Sequence, residues 1–306
     1  MPRDARTIIQ RARAELQEPN AADPQGNLWT DAELLNWAND GQAQSCGEIL
    51  DLDEDFFGDF FEITTVAAVA IYDLPSRFLR MRRFEYIAGG VQVAVTERRP
   101  RASDDSRVLA SVNDYRQVPE WAYAVFDDQV QLNPTPADAV ASAFRAWYVG
   151  KPPALTYGTA SAGGASTITL QAADSFDTEG RPTGFGANPE DDYYNRSFIR
   201  ITSGGGAGQR RRIVDYAGDT KIATVSPAWA VVPGATSLYA TETRLPGTSD
   251  LLLELYAAMC GKGKYKQDAA AIVARFNALH DQISQLFERR TSEERGFEPF
   301  DPWDGQ

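Results

Sequence analysis

The chain has 306 residues, about two domains on a soft prior of ~150 residues each. At 43% hydrophobic and 24% charged residues it carries enough apolar material for a sizeable core, which excludes global disorder. Its 30 Lys+Arg against 43 Asp+Glu give a net charge of -13, which excludes generic binding of the whole surface to nucleic-acid phosphates or anionic lipid.

Two cysteines, Cys46 and Cys260, cannot build a disulfide framework and indicate a reducing compartment of origin. One histidine, His280, leaves no material for His-rich zinc sites, Cys–His dyads or a conventional triad. The longest apolar stretch, Val66 to Tyr72, is far short of the ~18 residues of a membrane span. The opening MPRDARTIIQRARAEL is charged and helical, with no signal-peptide core. The expectation is a soluble, non-enzymatic protein without cofactor or membrane association.

In chain order, Ile8, Ala12 and Leu16 fall four residues apart, which predicts an amphipathic helix over 4–16. Thr30 followed by Glu33 is a capping box opening a second helix to about residue 50. The β-rich run Glu62 to Tyr72 predicts one strand, ended by Asp73-Leu74-Pro75. Phe78–Ile87 and Val91–Thr96 flank Gly89-Gly90 as a hairpin, and the polar stretch 98–114 is read as holding one short helix. Tyr123–Leu132 and Ala139–Tyr148 are two further strand candidates.

Gly, Ser, Thr and Ala dominate residues 157–243. Five short strands are predicted there, at 167–170, 197–202, 210–216, 222–225 and 237–241, with Ala217-Gly218-Asp219 and Pro233-Gly234 as the clearest turn signals. Leu251, Leu252, Leu255 and Met259 mark a helix that the basic loop Gly261-Lys262-Gly263-Lys264 should break. Ile272, Phe276, Leu279, Ile283 and Leu286 form a narrow seam on a last helix. Residues 291–306 read as an extended tail.

The fold class is therefore α+β: a four-helix bundle made from the N- and C-terminal helix pairs, a central β-strand block, and an inserted small all-β domain. The expected divisions are 1–156 (helix pair and strand block), 157–243 (insert), 244–292 (second helix pair) and 293–306 (docking tail).

Asp51, Asp53, Asp55, Asp59 and Glu62 have the spacing of calcium-loop ligands, but Phe56 stands where the turn needs glycine, so an acidic loop is the plainer reading. The run 44–62 holds seven acids and no base, Asp51, Asp53, Glu54 and Asp55 among them. The stretch 77–101 holds seven arginines, including Arg77, Arg80, Arg82, Arg83, Arg98 and Arg99, against Glu85 and Glu97. Such opposite blocks are either two solvated surfaces or the two sides of a repeated subunit contact. Gly204 to Gly208 lacks the Lys-Ser/Thr and following helix of a phosphate loop, and reads as a hairpin turn with a basic outgoing strand. The tail segment Phe297-Glu298-Pro299-Phe300-Asp301-Pro302-Trp303 alternates aromatics with Pro and acid, as a docking peptide does.

Four pieces carry a resemblance: Leu28-Trp29-Thr30-Asp31-Ala32-Glu33-Leu34-Leu35-Asn36-Trp37-Ala38-Asn39-Asp40-Gly41-Gln42; Ile71-Tyr72-Asp73-Leu74-Pro75-Ser76-Arg77-Phe78-Leu79-Arg80; Val130-Gln131-Leu132-Asn133-Pro134-Thr135-Pro136 leading to Phe144-Arg145-Ala146-Trp147-Tyr148; and the helix pair from Leu251. In this order they resemble the head-to-tail adaptor (connector) proteins of short-tailed bacteriophages, over about 4–155 and 245–292. Segment 193–240 separately resembles a small β module of phage virion proteins. The resemblance implies a homo-oligomeric ring, typically of twelve copies, made in the host cytoplasm and seated at the head–tail junction of the virion. It implies that the ring meets the portal protein, carries tail nozzle or tail fibre proteins, and lets DNA transit without specific binding. It places portal docking on Phe297, Phe300 and Trp303. Two rivals stand beside it: a virion-associated peptidoglycan hydrolase using a carboxylate pair among Asp51 to Glu62, and a glycan-binding module displaying Tyr193, Tyr194, Trp229 and Tyr239.

Overall fold

The computed structural model describes residues 3–17, 28–53, 56–90, 92–97, 121–176, 182–246 and 249–295. The chain divides into two units: residues 1–54 with 152–306, and residues 55–151. Among the described residues, four α-helices and several antiparallel sheets make it an α+β protein.

In the first unit, α1 (Ala5–Glu15) starts where the Asp4 carboxylate accepts the Thr7 N–H at 2.9 Å. Its Ile8, Ile9 and Ala12 are buried. The predicted capping box opens α2 (Asp31–Leu52): Thr30 Oγ1 accepts the Glu33 N–H, and the Glu33 carboxylate accepts the Thr30 N–H at 3.0 Å. Helix α3 (Asp250–Lys264) packs against α1, α2 and α4 (Ala270–Arg295). Of the predicted seam on α4, Ile272 and Ile283 are buried and Phe276 and Leu279 half-buried.

Two expectations for these helices need correction. Gly261 to Lys264 does not break α3; those residues are its last turn. Gly261 is tolerated inside the helix because a Cβ there would meet Leu16 at 3.1 Å, so the glycine lets α1 and α3 come close. Residues 291–295 are helical, not extended, because α4 continues to Arg295.

The same unit holds a seven-stranded antiparallel sheet. Its strands are β9 (Tyr157–Thr159), β10 (Ala162–Gly163), β11 (Thr167–Thr169), β14 (Phe198–Ser203), β15 (Arg210–Ala217), β16 (Ile222–Ser226) and β17 (Leu238–Thr241), in the order β10-β11-β16-β15-β14-β17-β9. All five predicted strands are present, each within one residue at its ends. A two-stranded ladder, β12 (Ser175–Phe176) with β13 (Pro182–Gly184), accompanies it. The sheet's core is Ile168, Leu170, Ile199, Ile201, Ile213 and Val225 with the rings of Tyr194, Tyr216, Trp229 and Tyr239.

The second unit has two four-stranded sheets. One runs β1 (Gly58–Ile63), β8 (Phe144–Gly150), β3 (Phe78–Tyr86), β4 (Val93–Ala94). The other runs β2 (Ile71–Asp73), β7 (Gln129–Asn133), β6 (Ala122–Phe126), β5 (Thr96–Glu97). Phe84, Phe144 and Ala146 from the first and Val130, Leu132 and Tyr123 from the second share one core. The β3–β4 hairpin turns at Gly89 and Gly90, both with positive φ, as the Gly-Gly pair predicts.

The strand predicted over Glu62–Tyr72 is two strands. Ala68 takes a positive φ, Tyr72 Oη accepts the Val66 N–H at 3.1 Å, and it donates to the Val69 carbonyl at 2.9 Å, so the phenol pins a turn between β1 and β2. Tyr123–Leu132 is likewise a hairpin, β6–β7, turning at Asp127 with φ 49°. The strand predicted from Ala139 begins only at Phe144. The helix expected within 98–114 lies outside the described residues.

Candidate functional site

The acidic run divides between α2 and β1. Asp51 is exposed in the last turn of α2, and Asp53 ends that helix. Glu54 and Asp55 lie outside the described residues. On β1, Asp59 is buried and faces Arg77 at 3.4 Å, while Glu62 receives the Arg145 guanidinium at 2.6 Å. A hydrogen bond from Ser142, then that from Arg145, holds the Glu62 carboxyl below the usual carboxylate range. Among the described residues, no group of three or more His, Cys, Asp or Glu is placed to hold a metal ion.

Of the arginine block, Arg77 is buried and donates to the Lys151 carbonyl at 3.1 Å, whereas Arg80, Arg82 and Arg83 are exposed on β3. Arg98 and Arg99 lie outside the described residues, as do Phe297, Phe300 and Trp303.

Register puts Phe60, Trp147 and Arg83 in one row across β1, β8 and β3, and Glu62, Arg145 and Glu85 in the next. Phe60 and Trp147 have centroids 5.1 Å apart, and the Arg145 guanidinium lies 5.1 Å from the Phe60 ring and 6.0 Å from that of Trp147. Glu85 beneath them is buried, accepts from Trp147 Nε1 at 3.1 Å and Gln92 at 2.8 Å, and pairs with Arg83. Burial pushes the Glu85 carboxyl up. The Gln92 and Trp147 bonds and the charges of Arg83 and Arg145 more than offset this, so it sits below its ordinary value.

A second buried charge cluster, absent from the sequence reading, lies in the first unit. Glu242 receives Arg200 at 3.1 Å and Arg210 at 2.7 Å. The Arg3 N–H donates to Asp250 at 2.6 Å, and its guanidinium pairs with Glu254. Burial pushes Asp250 up to about 6 and raises Glu254 as well. Glu254 within Leu251-Leu252-Leu253-Glu254-Leu255 was the available signal, since an acid inside an apolar helical run must be buried with a partner.

Tyr194, Trp229 and Tyr239 are core residues, and half-buried Tyr193 accepts the Ala154 N–H at 3.1 Å. The 204–208 turn joins β14 to β15 with positive φ at Gly204, Gly206 and Gly208, as the hairpin reading requires. His280 stacks on Phe276 and meets Glu48 at 2.8 Å, a contact between α4 and α2.

The SU10 adaptor protein family matches residues 3–180. The chain belongs to that family. Membership gives the adaptor a structural role in a phage virion, in line with the head-to-tail adaptors its motifs resemble. The matched span of the adaptor takes in α1, α2, both four-stranded sheets and the first strands of the seven-stranded sheet; β14 to β17, α3 and α4 follow it. A comparison with curated proteins finds no match. Among the adaptor's described residues, no helix is long and apolar enough to cross a membrane.

Proposed function

We propose that this adaptor forms a homo-oligomeric ring of about twelve copies beneath the portal, continuing the DNA channel and carrying tail nozzle or fibre proteins. The match to the adaptor family over 3–180 carries this reading. Packing of α3 against α1, α2 and α4 supports a four-helix bundle as the rigid body of each subunit. The net charge of -13 suits a channel that repels phosphate and lets DNA pass without sticking. The aromatic and proline residues of 297–303 suit extended docking into portal pockets.

Negative-stain imaging of the adaptor co-purified with its portal tests the reading, with a ring beneath the portal as the expected result. Deleting residues 296–306 should leave a folded subunit and weaken portal attachment. A subunit that stays solitary beside its portal overturns the ring, and undiminished attachment of the truncated chain overturns the tail's role.

A further inference from the structure

The second unit holds a cavity of about 390 Å³. That volume falls among ordinary small-molecule sites, roughly 300–1,000 Å³. One wall is aromatic. Half-buried Tyr86 and Trp121 stack with centroids 5.9 Å apart and planes 20° apart, and fully buried Phe144 braces them edge-on at 5.3 and 5.0 Å. Trp121 Nε1 is buried, so the indole offers this space ring surface rather than a donor.

The other wall is the loop from Pro134 to Val140. Thr65 Oγ1 donates to the Asp138 carbonyl at 3.0 Å and accepts the Val140 N–H at 3.0 Å. The Thr65 N–H donates to the Val140 carbonyl at 2.9 Å, and the Ala68 N–H to that of Pro136 at 2.8 Å. These bonds pin the wall in place and engage three of its carbonyls within the chain. Among the described residues, Asp138 is the only charged one that lines the cavity; it is exposed, and its carboxylate meets no partner.

The faces of Tyr and Trp rings attract cations, and a carboxylate on the same cavity adds to that field. The scarcity of acceptors narrows the kind of cation. A primary ammonium or a guanidinium brings several N–H donors, and burying them unmet is costly. A quaternary ammonium has no N–H to satisfy, and its methyl groups suit both the rings and the side chains of Pro134, Pro136 and Val140.

We propose that this cavity binds a quaternary ammonium group, its methyls against Tyr86 and Trp121 and its charge toward Asp138. The site lies wholly within the second unit and stands apart from the ring reading.

Titrating the full chain against choline, followed by the choline N-methyl proton resonance, tests it. That line should move upfield, because protons over a ring face are shielded. Dimethylbutanol, the uncharged carbon analogue of choline, should bind about tenfold more weakly or worse. Asp138→Lys should weaken choline by about tenfold at an unchanged melting temperature, since the side chain is exposed. Phosphocholine and a trimethyllysine peptide separate the sources of the group: tighter binding of the first names a headgroup, and of the second a methylated partner chain. A choline line that does not move, equal binding of dimethylbutanol, or normal binding by a folded Asp138→Lys variant overturns the proposal. So does a neutral sugar or a proline peptide that binds more tightly than choline, which would assign the cavity to a glycan or to an extended chain.

Discussion

Trp29 closes the end of a helix 232 residues away: its Nε1 donates to the Gly261 carbonyl at 3.0 Å. The last four carbonyls of a helix have no partner within it, and Gly261 is the first of that set in α3. The Lys262 carbonyl is met by the Gln267 N–H at 3.0 Å, and that of Gly263 by the Lys266 N–H at 3.1 Å. The indole ring is also buried, at 2% exposed, and meets the Tyr265 ring edge-on with centroids 5.6 Å apart. Trp29→Phe should therefore cost about 1–3 kcal/mol, from a lost bond and a stranded carbonyl, and Trp29→Ala about 3–5 kcal/mol. Denaturant melts of the two variants check the order; equal losses would mean that only the ring's bulk matters.

Asp250 gives the subunit a pH dependence of opposite sign to that of Glu62 and Glu85. Burial raises its pKa from 3.8 to about 6, so the native state binds a proton that the unfolded chain releases. The stabilisation is complete below about pH 4 and is lost as pH rises through 6. Glu254, raised by the same cause, adds in the same direction. Glu62 and Glu85, held low, contribute stability above pH 4.5 that is lost on acidification. Asp250→Asn keeps an oxygen for the Arg3 N–H and removes the buried charge. It should raise the melting temperature at pH 7.5 by the equivalent of about 1–3 kcal/mol and leave it little changed at pH 4. Calorimetry of both proteins across pH 4 to 8 checks this; a difference that does not vary with pH would contradict it.

Asp59 and Arg77 are each 5% exposed at the side chain and 3.4 Å apart, and they serve the fold of the second unit. Asp59 also accepts the Phe60 N–H at 2.9 Å. Removing one partner takes away the opposite charge facing a buried one, so Arg77→Met alone should cost about 3–5 kcal/mol. Combining it with Asp59→Asn should recover part of that loss, because the buried charge that faced Arg77 is then removed as well. A double-mutant cycle by urea unfolding measures the coupling. Additive losses would show that the two charges are solvated independently.

Local chemistry made much of this architecture readable. The Thr30–Glu33 box, the α4 seam and the Gly89-Gly90 hairpin each act within a few residues, and the sequence pattern of each is its own cause. What escaped the reading depends on groups far apart in the chain. Asp31, one residue past the capping Thr30, accepts from Tyr157 Oη at 3.0 Å and from Arg13 Nε at 3.0 Å, joining β9, α1 and α2. No spacing rule signals such a hub. The Gly261 misreading has the same origin, since a glycine that would end an isolated helix is retained where two helices approach closely. The acidic and basic blocks were visible as charge, but only register shows that Asp59 and Glu62 are occupied by Arg77 and Arg145.

Gly218 and Gly234 make the limit testable, because in sequence both mark turns of the same seven-stranded sheet. A Cβ on Gly218 would stand 2.2 Å from the Pro189 carbonyl oxygen and 2.5 Å from the Glu190 carbonyl carbon, both backbone atoms that cannot swing aside. Its N–H also donates to Asp191 at 2.6 Å, tying the β15–β16 turn to the 189–191 loop. Around Gly234 an added Cβ meets nothing within 4 Å, and its φ is not positive. Gly218→Ala should therefore destabilise the sheet by about 1–3 kcal/mol, the cost of forcing backbone apart. Gly234→Ala should be neutral or stabilise by up to about 1 kcal/mol, through the smaller freedom of the unfolded chain. Hydrogen exchange should show the Gly218→Ala loss in β14 to β16 and leave the protection of α1 and α2 unchanged. Equal effects of the two substitutions would mean that the 189–191 loop yields to the methyl group and that its contact with the β15–β16 turn does not constrain the sheet.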